Sequence, residues 1–287
     1  EIMLPMIFGS SVTQINMIFD TVIASFLITG SIGWLYMSDR FVELPLALFG
    51  ISIATVMLPK LSDYFNRSNI DAYNRTLNWG LKLGILISFP TMLGLIILSD
   101  PILITLLKYK EFTLNDVHMT SIALIAFSIG LPGMIGSKIL ITNYYSRKDT
   151  KYPVKAALIA VLCNFVLNIA FVVYLVKTDF NGAHIGLAVA TSLSAYVNFF
   201  FLFKNAVKTK IFYMDQDIIF YILKSVIATI VMSAFLLYFD LSKQAWMDYE
   251  LVERVMNLFL LIIFSALIYF AFLYLFNIKP KNIKEQL

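Results

Sequence analysis

The stretch WLYMSDRFVELP, Trp34–Pro45, lies in a mostly apolar run from Ser31 to Pro59 and places Asp39, Arg40 and Glu43 within five residues of one another. Two readings of it compete. In one, residues 41–59 cross a bilayer alone and WLYMSDR is an outer flank, with Trp34 and Tyr36 in the aromatic belt of the interface. GSIGW would then begin an unusually apolar loop. In the other, a helix begins near Ser31 and carries its charges into the membrane. An arginine there costs at least ~2.5 kcal/mol on insertion scales, so it needs a wet cavity or a partner. Pro45 has no N–H for the carbonyl of Phe41, which loosens the helix beside the charges. Such breaks are tolerated where they line a cavity.

The rest of the chain settles the class. Of 287 residues, 60% are hydrophobic and only 14% charged, against about 25% charged in soluble domains. Mean hydropathy is +0.81. These values describe an integral membrane protein. A spanning helix needs about 20 predominantly apolar residues, and eight stretches meet or approach that: 5–28, 31–59, 83–99, 119–143, 155–176, 183–203, 218–239 and 255–276. The third is short and extends back toward Trp79. After it, Asp100-Pro101 ends the helix, and PILITLLKY reads as a short interfacial helix. The runs are too long, and alternate too little, for barrel strands. The chain opens at Glu1, without methionine and close to an apolar segment, and reads as a fragment of a longer protein.

Lysine and arginine give the orientation. Eight spans put fourteen of these residues in the connections on one side, from Lys60 through Lys284, and four on the other: Lys108, Lys110, Lys177 and Lys243. Both ends of the chain are therefore expected in the cytoplasm. The net charge of +4 reflects this loop bias, and no nucleic-acid partner is implied. Lys138 and Lys224 lie within two turns of cytoplasmic helix ends, where snorkelling accounts for them. The ionisable groups left to explain are Asp20, Asp39, Arg40 and Glu43.

The first two segments form a hairpin that turns near Thr29-Gly30. Asp20 and Arg40 are each ten residues from Gly30, roughly 15 Å along a helix, so they should share a depth and could form a buried pair. Arg40 and Glu43, at i and i+3, share a helix face. Asp39 is rotated about 100° away. A second set is polar but mostly neutral: Thr13, Asn16 and Asp20; Asn164 and Asn168; Thr191, Ser194 and Asn198. Asp20, Asn168 and Thr191 lie at similar depth. Converging oxygens could hold a sodium ion; equally, such groups hydrogen-bond between helices. Soluble catalytic patterns are missing. His118 and His184 are isolated, Cys163 is the single cysteine, and GMIGSK at 133–138 has the wrong spacing for a phosphate loop. Beyond a sodium ion, no cofactor is expected.

The segment GSSVTQINMIFDTVIASFLITGSIGWLYMSDRFVELPLALFGISIATVMLPKLS resembles the start of the C-terminal lobe of the MurJ (MviN) family of bacterial lipid II flippases. YYSRKDTKYPVK at 144–155, NWGLKLGILISFP and KEFTLND fit the same family. The resemblance implies an all-α transporter of fourteen spans, of which this chain holds the last eight. Residues 1–210 would be the six-helix C-terminal lobe. Residues 211–287 would be two further helices that form a groove for a lipid tail. The implied activity is outward movement of undecaprenyl-pyrophosphate-linked peptidoglycan precursor across the inner membrane by alternating access, without covalent chemistry. The implied partners are lipid II, bilayer lipids and the N-terminal six-helix lobe of the same protein. Arg40 and Glu43 match charged positions of the family's central cavity, where arginine engages the pyrophosphate, and Asp39 matches an adjacent acid. Asp20, Asn164, Asn168 and Thr191 are similar to a sodium site of some members, in which an aspartate would be expected at Asn168. A cation-coupled drug antiporter of the same superfamily, and a non-transporting scaffold for cell-wall enzymes, are the rival readings; Arg40 argues against the first.

Overall fold

The computed structural model describes residues 3–209 and 211–278, with side chains from Gln14 onward, and it is helical throughout, with no strand among the described residues. Lys210, Lys279, Lys281 and Lys284, counted above toward the cytoplasmic face, and the Thr13 side chain lie outside the described residues. The first helix, α1 (Met3–Ser25), turns at Gly30 into α2 (Ser31–Pro45). Gly30 has φ 104°, and a Cβ there would meet the Trp34 ring at 2.5 Å. Only glycine fits both constraints.

The helix does begin at Ser31, so the charges of WLYMSDR lie within it rather than in a loop. Directly after Pro45 the backbone widens into a π turn, Leu46–Ile51, and then continues as α3 (Ser52–Asn66). The run is helical for 36 residues, seven beyond the expected end at Pro59. A proline that cannot donate and a π turn beside it are one local event: the i→i−4 ladder is interrupted and re-forms one register wider.

The third expected span is much longer than its apolar part. The helix α4 runs from Ile70 to Ile97, started by the Asn69 side chain, which accepts from the Ala72 N–H at 3.1 Å. Arg75 and Lys82, read above as loop cations, are therefore helical, and Lys82 is only 4% exposed. The short helix α5 (Ser99–Leu107) is packed into the protein. Pro101 to Thr105 are buried, and the helix packs on α6 (Leu114–Ile129), on the small α11 (Lys243–Asp248) and on α12 (Leu251–Leu275).

The fourth expected span is broken. The helix α6 ends at Ile129, α7 (Leu131–Tyr145) begins at once, and the axis bends 43° at Gly130. Pro132 lacks an N–H, and a Cβ on Gly130 would sit 2.7 Å from the Cα of Ser192 in α9 (Ile185–Lys208). The bend frees carbonyls that apolar surroundings would leave unpaired at several kcal/mol each. The helix α9 supplies the donors: the Ser192 hydroxyl reaches Ala126 O (2.6 Å) and Phe127 O (3.2 Å), and the Tyr196 hydroxyl reaches Ile129 O (2.7 Å).

The remaining long helices, α8 (Lys151–Lys177), α9, α10 (Ile218–Leu237) and α12, fall close to the expected spans. By length and apolarity, the 31–66 run, α4, α8, α9, α10 and α12 are six membrane-crossing helices, and the bent α6–α7 pair makes a seventh if counted as one. The helix α8 packs between α1 and α9, α2 lies on α6, and α10 lies on α4 and α12. The segment leading into α10 is strapped to α4 by two asparagines one turn apart. Asn74 donates to Ile211 O (2.9 Å) and accepts from Tyr213 N (2.7 Å). Asn78 donates to Tyr213 O (2.9 Å) and accepts from Asp215 N (3.0 Å). Lys82, one turn further, meets Asp215 Oδ2 at 2.8 Å.

Candidate functional site

The helix α2 has one face of small and apolar side chains and one charged face. Trp34, Ser38, Val42 and Pro45 are buried. Trp34 Nε1 donates to Asp116 Oδ1 on α6 (2.8 Å), and the Ser38 hydroxyl donates to Thr120 O (2.8 Å). These bonds fix the rotation of α2, and so fix where Arg40 points. The guanidinium of Arg40 pairs with Glu43, as the i, i+3 spacing predicts, and lies 4.6 Å from the centre of the Tyr36 ring. The two charged side chains are 48% and 46% exposed. A pair this open contributes little as a stabiliser. What Glu43 and Tyr36 supply is a fixed direction for a planar cation that matches phosphate and carboxylate geometry.

Asp20 does not pair with Arg40. Equal depth along two helices says nothing about rotation, and α1 turns Asp20 toward α8. Its Oδ1 accepts from Asn168 Nδ2 at 2.6 Å, and its Oδ2 accepts from Asn16 Nδ2 at 3.2 Å. Asn168 Nδ2 also donates to Asn164 Oδ1 (2.8 Å), and Asn164 Nδ2 donates to Thr191 Oγ1 (3.2 Å). The four residues offered as a sodium site are thus brought together, on α1, α8 and α9. Asp39 is half-buried, within electrostatic reach of Asp20, Arg40 and Glu43. Among the described residues no three His, Cys, Asp or Glu side chains gather as a metal site. The Asp20 cluster does contain oxygens, but Asn168 turns nitrogen, not oxygen, toward those of Asp20 and Asn164. In this arrangement it does not fit a sodium ion.

An apolar groove of about 920 Å³ lies between α4 and α12, with Met232 of α10 at its wall. The Tyr269 hydroxyl is turned away from it: it donates to Leu86 O (2.6 Å) and bonds Ser225 Oγ (2.9 Å). Phe49 from the π turn lines the same groove. The groove therefore reaches the broken span that carries Arg40, nine residues or roughly 13 Å further along the helix.

Some of this escaped the sequence reading. The aromatic platform Tyr36, at i−4 from Arg40, was visible as spacing. The Asn74, Asn78 and Lys82 row on α4 was visible in the same way, once the helix is known to start at Ile70. The bond between Trp34 and Asp116 joins residues 82 apart and left no local signal. Lys224, expected to snorkel, donates from Nζ to Phe276 O at the C-terminal end of α12 (3.0 Å).

Comparison with known proteins gives a consistent answer. The family model described as "Lipid II flippase MurJ" matches residues 1–257. A probable lipid II flippase MurJ of Vibrio cholerae is 38% identical over 99% of this chain and 53% of its own length. The Haemophilus influenzae protein of that name is 37% identical over 99% of this chain and 55% of its own. A solved structure titled as lipid II flippase MurJ in an inward closed conformation superposes with TM-score 0.75 at 31% identity, over 95% of this chain and 53% of that one. An outward-facing multidrug transporter of the MATE family shares the fold at TM-score 0.62 and 16% identity. The chain spans about half the length of the curated relatives it matches. It is a multi-pass helical membrane protein, and it belongs to the MurJ family of lipid II flippases.

Proposed function

We propose that this chain is the C-terminal half of a flippase that moves lipid II from the inner to the outer leaflet of the bacterial inner membrane. The observation that carries the reading is Arg40. It is a guanidinium on a membrane-spanning helix, aimed by Glu43 and Tyr36, and half open on the face of α2 opposite α6. In this reading Arg40 takes the pyrophosphate through bidentate, charge-assisted hydrogen bonds. Glu43 offsets the charge when substrate is absent, and Asp39, on the adjacent face, lies within electrostatic reach of both. The groove between α4 and α12 receives the polyprenyl tail, while sugar and peptide cross in the cavity. Residues 1–210 act as the six-helix lobe and 211–287 as the pair of groove helices. With α1 spanning as well, the count is eight, and the lysine and arginine bias puts both ends in the cytoplasm. A six-helix N-terminal lobe would complete the cavity, and alternating access would follow from the two lobes rocking about it.

The test is complementation by the full-length protein in cells depleted of their flippase. Arg40→Ala at normal membrane abundance is expected to abolish rescue. Arg40→Lys is expected to leave only partial rescue, because an ammonium cannot form the planar fork. Full rescue by Arg40→Ala refutes the assignment.

A further inference from the structure

The polarity of the chain Asp20–Asn168–Asn164–Thr191 is dictated from one end. A carboxylate only accepts, so Asp20 requires a donor from Asn168. The same Nδ2 then lies 2.6 Å from Asp20 Oδ1 and 2.8 Å from Asn164 Oδ1. With that oxygen turned inward, Asn164 has its own Nδ2 left for Thr191. Asn164 and Asn168 are 1% and 0% exposed, so water does not compete for these bonds. Asn168 Oδ1 is buried without a hydrogen-bond partner. The amide has kept its nitrogen inward although its oxygen is left unsatisfied, an arrangement that persists only if the inward donor is worth more.

The inward position is therefore one on which oxygens from two helices converge, and an N–H₂ group fills it. We propose that the Asn168 amide does the work of a cation at this point. It neutralises the convergence of the Asp20 and Asn164 oxygens and ties α1 to α8 and α9 with no ion bound. Replacement by aspartate would remove the donor, add a second carboxylate beside Asp20, and leave a cluster of oxygens that holds together only around a cation. Asn168 is thus the residue that makes this half of the protein independent of sodium, and Asn168→Asp alone should make it dependent. The inference concerns helix association and stands apart from the substrate assigned to Arg40.

The experiment measures thermal unfolding of the purified full-length protein in sodium, potassium and choline chloride at equal ionic strength. The wild type is expected to unfold at the same temperature in all three. Asn168→Asp is expected to be less stable in choline and to recover about 2–4 °C in sodium, as binding to the folded state alone requires. Asn168→Leu, which fills the site but donates nothing, is expected to lose stability equally in every salt. Sodium-specific stabilisation of the wild type overturns the proposal, as does a folded Asn168→Asp protein indifferent to sodium. Should Asn168→Asp fail to fold, the wild type in the three salts and Asn168→Leu still decide. An Asn168→Leu protein as stable as the wild type shows that the amide holds nothing together.

Discussion

The pair Lys82–Asp215 should respond very unequally to loss of its two members. The side chain of Lys82 is 5% exposed and that of Asp215 is 51% exposed, with Nζ and Oδ2 2.8 Å apart. In Lys82→Met the buried volume is kept and the charge removed. The carboxylate left behind is half in solvent and rehydrates, so the loss should stay within about 1 kcal/mol. In Asp215→Ala an ammonium remains in a dry site. Removing one partner from a buried pair costs ~3–5 kcal/mol. The Tyr221 ring, 5.0 Å from Nζ, is there with or without Asp215 and leaves the difference unchanged, but the space vacated by a carboxylate half in solvent admits water to Nζ and offsets part of the loss. A net loss of about 2–4 kcal/mol follows. At about 2 °C per kcal/mol for a chain above 200 residues, Asp215→Ala should lower the unfolding temperature of the full-length protein by about 4–8 °C, and Lys82→Met by under about 2 °C. The double variant should match Lys82→Met, because the orphaned charge is then gone. Intrinsic fluorescence during heating in detergent reads all three. Lys82→Met as damaging as Asp215→Ala would refute the argument from burial. A double variant that sums both losses would refute the coupling.

The other two stability predictions concern hydroxyls that serve carbonyls. Ser192→Ala removes the hydroxyl that serves Ala126 O at the Gly130 bend, while Phe127 O keeps the Gly130 N–H, and should cost ~1–3 kcal/mol, seen as a lower unfolding temperature at unchanged helix content. Tyr269→Phe removes the bonds to Leu86 O and Ser225 and should cost about 1–2 kcal/mol; the groove keeps its apolar wall, so complementation should survive.

Hydropathy made the spans legible because a bilayer rewards continuous apolar length and little else. It failed where tertiary partners make polar residues acceptable. The first four turns of α4 carry Tyr73, Thr76, Asn78 and Lys82, all buried, and no window of apolarity would include them. They are helical because α7 and the strap before α10 supply their bonds: Tyr73 to Asn143 O (2.8 Å), Asn78 to the strap, Lys82 to Asp215. The Gly130 break was missed for the opposite reason. The sequence GLPG sits within a strongly apolar run, and its backbone signal was overridden by hydropathy, although the equivalent signal at Pro45 was read correctly.

The site divides along the same line. Arg40 and Glu43 could be paired from spacing, since i, i+3 geometry is internal to one helix. Asp20 could be placed at a depth but not given a partner, because depth follows from counting residues while partnership depends on rotation about the helix axis. That rotation is set by contacts no local pattern records, such as Trp34 on Asp116 for α2 and Asn168 on Asp20 for α1. The second contact bears on function. If α1 and α2 were joined through an Asp20–Arg40 pair, the arginine would be neutralised inside the hairpin and unavailable to an anion. With Asp20 committed to α8, Arg40 keeps the carboxylates of its own helix, Glu43 and Asp39, beside it, and its charge stays on the open face of the helix, as the proposed pyrophosphate contact requires.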